Sequence, residues 1–153
     1  MPSTQDLIVD MTKDAMRQLF VNARHIPEDK LTWRPMGEAR DVLGILKECV
    51  ILPVRIVGGL KGDSGNSEVA AALAERVVDI DSAEAVGNET CGMLADYVAG
   101  LSGTDLDEVI SFGPGWKMPR ANALMVPMRN TQYHVGQLAY IQLLLGDTED
   151  HWS

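Results

Sequence analysis

Apolar residues recur at helical spacing through several long stretches of the chain. In the first, Leu7, Ile8, Met11, Ala15, Leu19 and Phe20 form one stripe, with Ser3 as an N-cap and Asp6 in the first turn. A helix over about 3–23 is predicted. Pro27 is placed to open a short helical turn in the connection that follows, and Trp33-Arg34-Pro35 predicts an extended exit, because proline disfavours the α region for its predecessor. The second helix, over about 40–58, carries Val42, Leu43, Ile45, Leu46, Cys49, Val50, Ile51, Leu52, Val54, Ile56 and Val57 around nearly its whole circumference, so it is central or doubly covered. Pro53 predicts a kink in it, and a glycine-rich stretch from Gly58 ends it.

An Ala-rich segment from Ser67 to Val78 follows, read as a short helix or an ordered crossover. Asp81-Ser82-Ala83-Glu84 resembles a capping box and opens a helix over about 82–102, with Val86, Thr90, Met93, Leu94, Tyr97 and Leu101 as its stripe. Val109-Ile110-Ser111-Phe112 is matched to Trp116-Lys117-Met118 across Gly113-Pro114-Gly115 as a β-hairpin. The last helix spans about 119–145, with Pro127 as a point of early break and Gly146 as its stop. The expectation is an all-α fold: a four-helix bundle with a long crossover and a small hairpin, in one domain over 1–153. The surplus apolar surface of the second helix adds the expectation of a homodimer.

Composition narrows the function. A chain of 153 residues with 46% hydrophobic content can bury a core without staples, and Cys49 and Cys91 stand too far apart for a CxxC pair, as fits a reducing compartment. Thirteen Lys and Arg against 22 Asp and Glu give a net charge of −9, which repels nucleic acid and anionic lipid. The N-terminal residues lack the pattern of a signal peptide, and Glu48 and Arg55 interrupt the most apolar segment. A cytoplasmic protein with neither a nucleic-acid nor a membrane partner is expected.

Two polar features stand out against this pattern. At about 100° per residue, His134 is central on the buried face of the last helix, among Leu138, Ile141 and Leu145. Asn130 lies one turn before it and Gln137 one turn after. An i, i+4 pair is how one helix offers two ligands to a metal, and it is also how a core histidine shares a small amide network. Glu48, in the apolar second helix, reads either as part of a solvated stripe with Asp41 and Arg55, or as a carboxylate pointing inward opposite His134. Tyr133 and Tyr140 are placed against a neighbouring element or a dimer partner, and Trp33 against the core. Cys49 is turned about 100° away from Glu48. His151 and Trp152 are assigned to a terminal tail open to disorder.

The run Ile26-Pro27-Glu28-Asp29-Lys30-Leu31-Thr32-Trp33-Arg34-Pro35 with Val42-Leu43-Gly44-Ile45-Leu46, and Asn130-Thr131-Gln132-Tyr133-His134-Val135-Gly136-Gln137-Leu138, resemble the DinB-like superfamily of metal-dependent hydrolases, which includes YfiT-like thiol transferases. The resemblance covers most of the chain. It implies a four-helix bundle of up-down-down-up topology, often dimeric, with a metal between the second and fourth long helices on three histidines. Those positions fall on Glu48, Asn130 and His134, so one ligand of the three is retained as histidine. A divalent nickel, zinc or manganese ion on Glu48, Asn130 and His134 is thus one expectation. On it, Glu48 and His134 carry hydrolase or thiol-transferase catalysis and Gln137 supports them. The other is a non-catalytic dimeric binding or interaction protein that has lost the metal.

Overall fold

The computed structural model describes residues 1–63, 66–111 and 114–152, and among them the protein is all-α apart from one two-stranded ladder. Helix α1 is Thr4–Ala23. Ser3 accepts from the Asp6 backbone N–H while Asp6 accepts from the Ser3 N–H and Oγ, a closed capping box that holds the Asp6 carboxyl below its usual range. Its buried face is Ile8, Thr12, Ala15, Met16, Leu19, Phe20 and Ala23. Leu7 and Met11, read as part of the stripe, lie at its edge and stay exposed. A 3₁₀ turn at Glu28–Lys30 follows Pro27.

Helix α2, Val42–Lys61, begins two residues later than expected, because extended Asp41 caps it with a 2.7 Å bond from the Gly44 N–H. It runs through Pro53 and past the first glycines to Gly62, which ends it at φ 69, a left-handed conformation that glycine adopts without strain. Helix α3, Asn66–Glu75, supplies the Ala-rich crossover. Helix α4, Ile80–Ala99, starts ahead of the expected box: Asp79 is the cap and Ser82 its partner. Asp81 and Glu84 project outward instead and pair with Arg24 at the end of α1.

Helix α5, Gly103–Asp107, leads to strands β1, Val109–Ser111, and β2, Lys117–Pro119, paired antiparallel with Ile110 opposite Met118. The ladder thus begins one residue after Trp116, which is exposed, while Phe112 and Gly113 lie outside the described residues. The expected final helix is two: α6, Arg120–Leu124, and α7, Val126–Leu144. Pro127 has no N–H to give the Ala123 carbonyl, so the ladder of bonds is interrupted at Met125.

Helix α2 packs against α3, α4 and α7, and α1 packs against α4 and α7. None of the large apolar side chains of α2 is exposed. Its apolar surplus is therefore covered within the chain and gives no reason for a dimer. The main buried cluster joins Leu19, Leu46, Val50, Val86 and Leu138, and a smaller one joins Ile8, Val57, Leu94, Val98, Leu106 and Leu124. Thr90 donates at 2.6 Å to the Val50 carbonyl, tying α4 to α2. At Gly87 an added Cβ would lie 3.2 Å from both Phe20 and Val50, so three helices meet there.

Candidate functional site

Glu48 on α2 and Asn130, His134 and Gln137 on α7 come together. His134 Nε2 lies 3.1 Å from Glu48 Oε1, Asn130 Nδ2 donates to the same oxygen at 3.2 Å, and Gln137 Oε1 lies 2.6 Å from His134 Nδ1. The Glu48 side chain is 27% exposed and that of His134 5%. Glu48 is thus turned toward α7 and does not form a solvated stripe with its helix neighbours. Asp41 serves as the α2 cap and Arg55 is at the surface.

Arg40 completes the cluster. Its guanidinium pairs with Glu48 Oε2, so both carboxylate oxygens are engaged. The sequence pattern puts Arg40 at the start of the second helix. Once Asp41 becomes the cap, Arg40 sits ahead of the helix and reaches back over it. No helical periodicity marks such a residue.

Burial pushes the His134 pKa below its ordinary value; the hydrogen bond to Gln137 opposes this, and the charge on Arg40 adds to it. A neutral ring has one N–H. If it donates to Gln137 Oε1, its Nε2 lone pair faces the Glu48 carboxylate. A half-turn of the Gln137 amide removes the conflict, with Gln137 donating to Nδ1 and Nε2–H donating to Glu48. In that arrangement both ring nitrogens are satisfied inside the protein.

The metal donors implied by the resemblance do not fit this geometry well. Asn130 turns its NH₂ toward Glu48, while its Oδ1 lies 4.0 Å from the Cys49 Sγ, on the thiol side. Only Glu48 Oε1 and His134 Nε2 converge, and Arg40 already compensates the carboxylate charge. One imidazole, one paired carboxylate and an amide that presents its NH₂ make a poor set for nickel or zinc. Burial pushes the Cys49 thiol up to about 12, so it is a protonated core group and no nucleophile.

Beside the cluster runs a groove of about 400 Å³, lined by Pro35, Ala39, Arg40, Ile45, Tyr133, Gln137, Tyr140 and Ile141. Its volume is that of a small-molecule site. Tyr133 and Tyr140 are 66% and 62% exposed at its wall, and the Tyr133 ring meets His134 edge-on at 5.3 Å. Trp33 packs against the main core, as expected, while Arg34 is exposed and lies 3.5 Å from Asp41. His151 does not lie in a loose tail: its side chain is 10% exposed and its ring stacks on His25 at 3.4 Å.

No protein-family model matches the chain, and no curated protein does. Among solved structures, a crystal structure described as a conserved protein of Enterococcus faecalis is similar in fold. It is 13% identical, with a TM-score of 0.77 over 95% of this chain and 99% of that one. No helix among the described residues is long and apolar enough to cross a membrane.

Proposed function

We propose that this chain is a DinB-like four-helix bundle of α1, α2, α4 and α7, in up-down-down-up order, that binds a small molecule in the groove over Glu48 and His134 and uses no metal there. The observation that carries this reading is the Arg40–Glu48 pair. A guanidinium supplies the positive charge that a cation would supply, and both nitrogens of His134 are engaged within the protein, leaving neither for a substrate. The fitting occupant has a flat or apolar body to lie against Tyr133, Tyr140 and Ile141 and an acidic group for the N–H donors of Arg40 that Glu48 does not take. A second copy of the chain covers the exposed Tyr133, Tyr140 and Leu144 on α7 and closes the groove.

The alternative reading is the hydrolase or thiol transferase with a nickel, zinc or manganese ion on Glu48, Asn130 and His134. It is favoured by the convergence of Glu48 Oε1 and His134 Nε2. One pair of experiments separates the two: elemental analysis of untagged protein, and titration with aromatic carboxylates such as benzoate followed by thermal shift. We expect a carboxylate-dependent rise in melting temperature that disappears in Arg40→Met. Near-stoichiometric metal that is lost in both Glu48→Ala and His134→Ala would overturn the metal-free reading.

A further inference from the structure

A second cluster of metal-ligating groups lies where the end of α1 meets the chain beyond α7. His25 follows the C-cap of α1, and Asp147 and His151 follow the Gly146 turn that ends α7. One ligand atom from each of His25, Asp147 and His151 lies within 4.8 Å of the other two. His151 Nε2 is 2.7 Å from Asp147 Oδ2, and the two imidazoles are parallel within 9°. The hydrogen bond from His151, then the Glu149 backbone N–H, then the charges of His151 and His25 hold the Asp147 carboxyl below its usual range.

We propose that His25, Asp147 and His151 form a binding site for a divalent transition-metal ion of the zinc or nickel class. Two imidazoles and one carboxylate are a borderline donor set, which selects such ions over magnesium or calcium. One ion held by all three requires the two rings to leave their stack. The remaining coordination positions are open to water or an acceptor ligand. Next to them lies a cavity of about 410 Å³ that His151 also lines, walled by Gln18, Asn22, Gln132 and Gln142. Gln142 also lines this cavity, and its Nε2 is buried with no hydrogen-bond partner among the described residues. The net charge of −9 favours cation association. The site shares no residue with the Glu48–His134 cluster and is independent of the function proposed for it.

Two linkages follow from this placement. The ion joins the C-terminal segment to the end of α1, so zinc raises the melting temperature, and the same chain without His25 or His151 does not respond. The test is calorimetric titration of the untagged, chelator-stripped full chain with zinc chloride, repeated with magnesium. The parent is expected to bind one zinc per chain and no magnesium. His25→Ala and His151→Ala should each weaken zinc by more than about tenfold while Glu48→Ala leaves it in place. Ring NMR signals provide a readout that needs no variant: zinc shifts those of His25 and His151 and leaves that of His134. Absence of zinc binding in the parent, zinc binding retained when both His25 and His151 are alanine, or ring shifts confined to His134, would each overturn the proposal.

Discussion

The histidine at position 134 is held by two neighbours and a counter-charge beyond them, and its titration follows. Its folded pKa lies below the ordinary 6.5, with burial as the largest cause. In the window between those two values the unfolded chain binds the proton that the folded one refuses, so this contribution to stability is present above about 6.5 and is lost as pH falls toward the folded value. The parent should therefore lose stability as pH falls below about 6.5 more steeply than His134→Gln, as read from urea midpoints at each pH. Parallel curves would mean that burial does not hold the ring neutral. The convergence of Glu48 and His134 was one of two readings open in the sequence, because helical phase places His134 on the buried face. Arg40 was not legible, since it acts from outside any helix. Nor was the direction of the Asn130 amide, which depends on Cys49 and Glu48 from another helix.

At the scale of elements, the apolar periods of α1, α2, α4 and α7 were legible because each has a long face to bury. The start of α4 was not: Asp79 with Ser82 and Asp81 with Glu84 are both plausible caps by composition, and the second pair is taken by Arg24 in space. Within α4, two glycines make a matched test of packing against propensity. At Gly92 nothing lies within 4 Å of an added Cβ, so Gly92→Ala should stabilise by about 0.5–1 kcal/mol through helix propensity alone. At Gly87 the same methyl meets Phe20 and Val50, both deep in the core, and Gly87→Ala should destabilise by about 1 kcal/mol despite the better helix former. Equal and positive shifts in the two urea midpoints would show that α1 and α2 yield at this contact.

For the whole molecule, the proposed dimer rests on the exposed apolar side chains of α7. The sequence pointed to α2, because an all-round apolar helix does not say whether its own chain or another covers it. Here α3 and α4 cover it, and Tyr133, Tyr140 and Leu144 remain outside. Light scattering should give about twice the 16.7 kDa chain mass, and Tyr140→Glu with Leu144→Glu should return it to one chain. A parent that already elutes as one chain would remove the dimer and leave the groove open. The meeting of His25 with Asp147 and His151 also belongs to this scale, since it requires the end of α1 and the segment after α7 to be brought together.

Glu48 and Arg40 make one ion pair from unequal supports. Glu48 stands on α2, the helix enclosed by α3, α4 and α7, whereas Arg40 hangs from the irregular connection with 55% of its side chain in solvent. Exposed side chains change rotamer in picoseconds to nanoseconds, on the order of a thousandfold or more faster than packed helices shift. The carboxylate is in effect a fixed post and the arginine an arm that swings from it. Loosening of the pair therefore needs no breathing of the helices, and its rate is set by how often the arm lets go.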